Sequence, residues 1–462
     1  MNIKILLNEV VDLGDLTKKQ RNEILTQVQE EVAELVLQNN RSQTKAISVA
    51  ISQATDNLEM YSRVIKDLEK KELLNRDIEF LPDNEELASR KMMGQGLTRP
   101  EIAVLMAYAK TTLKEALLNS ELPEDPYYLI ALEHFFPLPL QTRFKTYMPR
   151  HRLKREIICT RISNAVVNEM GISFVNRLQD ETGALPENII RAYTVSFQIF
   201  QANELHGEIN NLDNQVGPAL QLKMIQEVNR LIRRGARWFL RNRREGIQIA
   251  ATVEKFKAVS EVSDSLKVFL SGYESEMEVL AHNFMEGGVP TDLAYRVGGM
   301  SAMFSALDIV EAATLNDIPV KLVGAIYFAV GNRLQLGWFR ELIKNHSVSN
   351  HWEALARAMF RDDLDRQQRI LAISIIHHNE QPLQDSDILI DKWLKRHGIL
   401  VRRWEYFITE LKSSPETDFT MYAIALRELL EIAITSNHRV KIKESKNNKI
   451  IPKDTGSLGL DK

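Results

Sequence analysis

The densest run of side chains able to do chemistry is NRLIRRGARWFLRNRREG, in which Arg230, Arg233, Arg234, Arg237, Arg241 and Arg244 recur mostly at steps of three and four, with Trp238 and Phe239 interleaved. On one side of a helix, guanidinium groups spaced in this way could grip phosphates, with Trp238 as a stacking platform for a base. The pattern also fits a plainer role, in which Leu231, Ile232, Trp238 and Phe239 pack inward while the arginines pair with acidic neighbours or another subunit's carboxylates. A formal net charge of −3 gives no global field for nucleic acid. Arg and Trp are enriched where proteins meet, so Arg230, Arg233, Arg234, Arg237, Trp238, Arg241 and Arg244 form the candidate inter-domain or inter-subunit interface.

No other cluster reads as catalytic, cofactor-binding or metal-binding. His377, His378 and Glu380 come nearest to a metal set, but adjacent histidines on a helix point about 100° apart and cannot easily share one ion. His282 and His351 stand alone, and Cys159 sits in an amphipathic helical pattern as a core thiol. Asp362, Asp363 and Asp365 lie beside Arg361, Arg366 and Arg369, which reads as a solvated, ion-paired helix face. Neither G-x-G-x-x-G nor a P-loop occurs; Gly287-Gly288 reads as a helix stop and Gly298-Gly299 as close helix packing or a break.

The elements around these residues are helical almost throughout. Thr98 and Glu101 stand at capping-box spacing, Leu97 and Ile102 suit a hydrophobic staple, and Ile102, Leu105, Met106, Ala109, Leu113 and Leu117 mark one buried face. Thr17 and Gln20 open a helix expected to end at Asn39-Asn40, with a second long helix from Arg41 to Asn75. Prolines then punctuate short helices before long patterns resume at Arg152, Gly171 and Pro186. Alternating strand patterns are nearly absent, so the fold is expected to be all-α, a multi-helix array of two or three packed helical subdomains without a Rossmann domain. The expected divisions are 1–92, a long-helix region continuing from a catalytic domain that the chain lacks; 93–285, a central subdomain; 286–437, a C-terminal subdomain; and 438–462, a Lys-, Asn- and Gly-rich disordered tail. The stretches beginning at Pro186 and Pro319 echo each other, with Ile189/Leu322, Ile190/Val323 and Ala192/Ala325 in register, as duplication or as chance likeness of two amphipathic helices. The single cysteine suits a reducing cytosol, MNIKILLNEVVDLGD has no apolar run long enough for a signal sequence, and the longest apolar run, from Leu322, is about half a membrane span, so a soluble cytoplasmic protein is expected.

NIKILLNEVV, DLTKKQRN, EFLPDNEELASR, GLTRPEIAVLMAYAK, LPEDPY, FFPLPLQTRF, HRLKREIICTRISNAVVNEMGISFVNRLQDETGA, RWFLRNRR and HWEALARAMFRDDL stand in that order. Together they resemble the C-terminal region of the large bacterial NAD-specific glutamate dehydrogenases, from Asn2 to about Asp365. The resemblance implies a parent reaction of L-glutamate, NAD and water to 2-oxoglutarate, ammonia and NADH, and a homo-oligomer. It also implies that the catalytic residues and the NAD-binding domain lie upstream of the matching part, with NIKILLNEVV as a trailing helix. No catalytic or NAD-binding residue is therefore carried onto any position, and no cofactor is expected to bind this chain. The expected partner is the upstream catalytic domain, and the chain alone is expected to be inactive. Without that domain, Asn2 to Val11 are expected to be an orphaned apolar segment, sticky or locally disordered. The alternatives are a free-standing helical adaptor or nucleic-acid-binding protein using the Arg230–Arg244 helix, and an enzyme with an unfamiliar helical active site, for which no convergent acid, base and nucleophile set is visible.

Overall fold

Local signals in the sequence become helix starts. Thr17 N–H donates to Gln20 Oε1 at 2.9 Å and Gln20 N–H donates to Thr17 Oγ1 at 3.2 Å, a closed capping box that opens Lys18–Gln27. At Arg99–Leu118, Glu101 accepts the Thr98 N–H at 2.6 Å and is held from the other side by Arg90, at 2.7 and 2.9 Å. Ile102, Leu105, Met106, Leu113 and Leu117 are buried on that helix, the stripe its spacing predicts. The structure, a computed structural model, describes residues 1–243, 246–271, 276–377 and 386–447. Every regular element among them is a helix, so the all-α expectation holds.

One boundary moves. Asn39 and Asn40 lie inside Gln29–Ser52 instead of ending a helix, at a cost of only a few tenths of a kcal/mol each relative to better helix formers. The break falls between Ser52 and Leu58, where Gly96 crosses the chain so closely that an added Cβ would lie 2.4 Å from the Ala54 carbonyl carbon. The helix ends where another segment comes close and where Thr55, Asp56 and Asn57, all weak helix formers, follow.

The described residues fall into two compact units, Met1–Lys255 with Gly287–Val289, and Phe256–Glu286 with Pro290–Lys462. In the first, Gln29–Ser52 packs on Arg99–Leu118 and on Lys154–Met170, while Pro186–Ile199 packs along Pro218–Asn242. Cys159 is fully buried and burial pushes its thiol up to about 11, as a core cysteine should be. Asn2–Asp12 is not an orphaned segment. It is a helix whose Leu6 and Leu7 are wholly buried, packed on Lys18–Gln27, with the Asn2 carbonyl oxygen 3.1 Å from His151 Nε2. The apolar face expected to be left open is covered within the unit.

In the second unit, Glu276–Glu286 stops before Gly288, which takes φ +90° as a helix stop should, although Gly287 and Gly288 themselves belong to the first unit. Gly298 lets Thr291–Gly298 approach Glu276–Glu286, since a Cβ there would meet the Met277 carbonyl oxygen at 2.9 Å. Asp365 is not on a solvated face. It is 4 % exposed and accepts from Arg340 at 2.8 and 3.0 Å, while Arg369 donates to Asp308 at 2.8 Å and to Glu311 at 3.2 Å. Burying this side of His351–His377 against Val320–Arg333 and Leu336–Asn345 turns its inward charges into paired ones. Phe419–Asn447 carries helix through the first residues of the Lys- and Asn-rich stretch expected to be disordered; residues 448–462 lie outside the described residues.

The echo between Pro186 and Pro319 extends to architecture. In the first unit, Phe174–Thr182 ends on left-handed Gly183; a 14-residue helix (Pro186–Ile199), left-handed Gln201, a short helix (Ala202–Asn210) and the long Pro218–Asn242 follow. In the second, Ala306–Asn316 ends on left-handed Asp317; a 14-residue helix (Val320–Arg333), left-handed Gln335, a short helix (Leu336–Asn345) and the long His351–His377 follow. In each, the long helix packs back on the 14-residue one, and an acid on the first helix pairs with an arginine on the last: Glu181 with Arg237, Asp308 with Arg369. The left-handed glutamines place the structural register one residue away from the alignment on proline.

Candidate functional site

Pro218–Asn242 turns its arginines to different ends. Arg237 is 9 % exposed, with Nε 2.9 Å from Glu181 Oε2. Trp238 is 7 % exposed, stands edge-on to Phe239 at 5.1 Å, and has the Arg243 guanidinium over its ring at 5.7 Å. A buried indole cannot serve as a stacking platform for a nucleobase. Arg230 holds both oxygens of Glu227 at 2.7 Å. Arg233 and Arg234 are half-buried and Arg241 is exposed, and each has an interaction within the chain. Arg244 lies outside the described residues. The stripe seen in the sequence is thus partly spent on holding its own unit together, and Arg230 and Arg241 are its more open members.

The other sequence candidates stay apart. His377 Nε2 is 2.9 Å from Asn316 Oδ1, and His282 Nδ1 is 2.8 Å from the Glu278 carbonyl oxygen. His378 and Glu380 lie outside the described residues, as does the side chain of His351. Among the described residues no three His, Cys, Asp or Glu side chains converge as a metal site, and no helix is long and apolar enough to cross a membrane.

A cavity of about 730 Å³ in the first unit gathers polar groups that the sequence did not single out. Lys45 comes from Gln29–Ser52, Glu169 from the end of Lys154–Met170, and His206 from Ala202–Asn210. Behind them stand Tyr193 on Pro186–Ile199 and Asn229 on Pro218–Asn242. The Tyr193 hydroxyl donates to Glu169, the Lys45 ammonium donates to Asn210 Oδ1, His206 Nε2 lies 3.1 Å from Asn229 Oδ1, and Asn229 Nδ2 donates to the Glu169 carbonyl oxygen at 2.5 Å.

The electrostatics follow from enclosure. Burial raises the Glu169 carboxyl to about 7, against the pull of the Tyr193 hydroxyl and Lys45. Burial also lowers His206 to about 4, helped by the nearby Lys45 charge, and lowers Lys45 itself against the attraction of Asp213 and Glu169. Near neutral pH the cavity therefore holds a neutral imidazole and a carboxyl poised between its two forms, beside a lysine whose charged form burial disfavours. That set can bind and can hold a proton. It contains no nucleophile–base pair and no glycine-lined phosphate cradle. Sequence reasoning missed it because the five residues come from five helices, and each alone is an ordinary polar break in an amphipathic pattern.

Residues 94–431 match the family described as glutamate dehydrogenase, C-terminal, and residues 1–50 match the bacterial NAD-glutamate dehydrogenase catalytic domain. The chain is similar to the NAD-specific glutamate dehydrogenase of Pseudomonas aeruginosa, 43% identical over 444 residues, which is 96% of this chain and 27% of the relative. It is similar to that of Halomonas elongata, 38% identical over 435 residues, 94% of this chain and 27% of the relative. With that of Mycobacterium tuberculosis it is 30% identical over 442 residues, again 27% of the relative. The chain thus spans about a quarter of the length of these relatives.

Proposed function

This chain belongs to the glutamate dehydrogenase C-terminal family, and from that membership we propose that it is the non-catalytic helical region of an NAD-dependent glutamate dehydrogenase. In this reading its partner is the catalytic domain of the same enzyme, which binds NAD and converts L-glutamate to 2-oxoglutarate and ammonia. This region fixes the position of that domain and contributes subunit contacts in a homo-oligomer. No NAD is bound here.

The observation that carries this reading is how the two matched segments are joined. Residues 1–50, which match the catalytic-domain family, are built into the helices of the C-terminal family. Leu6, Leu7 and Val10 are buried, Gln29–Ser52 packs on two helices of the 94–431 segment, and Tyr147 donates to Asp15 at 2.6 Å. Arg99 Nη1 lies 3.4 Å from the Ser48 hydroxyl. A segment held near both ends, by Leu6, Leu7 and Val10 and by Ala46 and Ala50, transmits position better than a flexible tether does, because moving it exposes buried surface. Arg230 and Arg241 supply the proposed subunit contact, and the lone buried Cys159 suits a cytoplasmic location.

The test is a chimera. In the Pseudomonas aeruginosa relative, the region that matches this chain is deleted, or is replaced by this chain. NADH formation from L-glutamate and NAD is then followed beside the chain alone. Activity in the chimera, with none in the chain alone and little in the deletion, is the expected pattern. Turnover by the isolated chain, or full activity in the deletion, would overturn the reading.

A further inference from the structure

We propose that the Lys45–Arg161 cavity of the first unit is a binding site for a small organic anion with an apolar body, its charged head held by the two cations and its body laid along the valines of Gln29–Ser52. Arg230 and Arg241 are not among its lining residues, and the proposal does not depend on the parent activity.

Four observations lead there. First, a cavity of about 730 Å³ lies in the range of small-molecule sites, roughly 300–1,000 Å³. Second, its charge is unbalanced toward positive. Lys45 hydrogen-bonds the neutral amide of Asn210 and makes no ion pair, and Arg161, also lining the cavity, makes no hydrogen bond or ion pair among the described residues. Against these cations stands Glu169, which is shared with the Tyr193 hydroxyl and is pushed by burial to about 7. Asp213 acts on Lys45 from outside the lining, and burial keeps His206 neutral near pH 7. An anion would therefore enter a site with spare positive charge.

Third, unspent hydrogen-bonding groups line the same space. Asn168 Oδ1 is buried without a partner, and the side-chain amides of Asn164 and Asn203 make no hydrogen bond among the described residues. Orphaned buried polar atoms are rare in a finished fold, and a ligand is one thing that resolves them. Fourth, Val32, Val36 and Val49 line the cavity from one helix, and Val36 is 54 % exposed. A free inorganic ion would leave that wall wet, whereas an aliphatic or aromatic body would cover it.

The experiment is isothermal titration calorimetry on the full 462-residue chain with sodium octanoate, set beside 1-octanol, inorganic phosphate and ADP. Saturable one-to-one octanoate binding, tighter than that of 1-octanol by about tenfold or more, is expected, since the head should supply a charge-assisted contact that the alcohol lacks. Lys45→Met and Arg161→Met should each weaken octanoate several-fold while leaving the thermal midpoint near that of the parent chain. Arg161 is partly open to solvent, so its variant keeps the test informative if Lys45→Met folds poorly. Binding by phosphate or ADP that octanoate does not displace would overturn the apolar body. Octanol binding as tightly as octanoate, affinity unchanged in both variants, or no saturable octanoate binding would overturn the site.

Discussion

Arg237 Nε and Glu181 Oε2 lie 2.9 Å apart with each side chain only 10 % exposed, so the strongest charge pattern in the sequence spends one of its central members inside its own unit. The pair joins Phe174–Thr182 to Pro218–Asn242, and Glu181 also takes Arg177 Nε at 3.0 Å. Removing Arg237 leaves the buried Glu181 carboxylate with Arg177 as its remaining cation and takes away the packing of the guanidinium stem. Arg237→Ala is expected to destabilise the first unit by about 1–2 kcal/mol in urea denaturation, and Arg241→Ala by less than about 0.5 kcal/mol. Equal effects would mean that the pair is solvated after all.

The Glu169 site predicts a pH dependence. Its folded value of about 7 lies above the ordinary 4.5, so its contribution is fully present below about 4.5 and is lost as pH rises toward 7. His206 runs the other way. With a folded value near 4 against 6.5, it favours the fold above 6.5 and loses that contribution as pH falls toward 4. The two slopes oppose each other between about 4.5 and 6.5, so the measurement is a difference. Thermal midpoints of Glu169→Gln against the parent chain should diverge in favour of the variant from pH 5 to pH 8. Parallel curves would show that Glu169 is not perturbed.

Two glycines should respond with opposite signs. Gly298→Ala places a Cβ against main-chain atoms, the Met277 oxygen at 2.9 Å and the Ala281 nitrogen at 3.1 Å, and neither can move without shifting a helix. A loss of about 1–3 kcal/mol is expected from such overpacking. Gly207, inside Ala202–Asn210, has nothing within 4 Å of an added Cβ, so Gly207→Ala should stabilise by about 0.5–1 kcal/mol through helix propensity. Guanidinium denaturation of the two variants reads both signs in one experiment.

Deleting Met1–Asp12 should do harm. The sequence alone predicts a gain in solubility from losing an apolar orphan, but the helix Asn2–Asp12 buries Leu6, Leu7 and Val10. Three such side chains correspond to at most roughly 5–9 kcal/mol of transfer free energy. The truncated chain should melt at lower temperature and bind more of an apolar dye. An unchanged melt would mean that this helix is not docked in solution.

The helical class, the starts at Thr17 and Thr98, the core role of Cys159 and the resemblance to glutamate dehydrogenases could all be read from the sequence. They depend on hydrogen bonds and apolar spacing within a few residues, or on long runs of identity. What the sequence could not determine was direction. A helix with arginines at steps of three and four has a charged side, but only its neighbours decide whether Glu181 waits there or water does. Likewise the spacing puts Asp365 and Arg369 on a charged helix face, and only the packing brings Arg340, Asp308 and Glu311 over them. The cavity was the least legible feature, because Lys45, Glu169, Tyr193, His206 and Asn229 meet only when five helices pack, and burial then sets protonation states that no single residue type reveals. Local chemistry made the helices, and tertiary packing decided which of their polar groups face one another, since that depends on how whole helices are rotated and spaced.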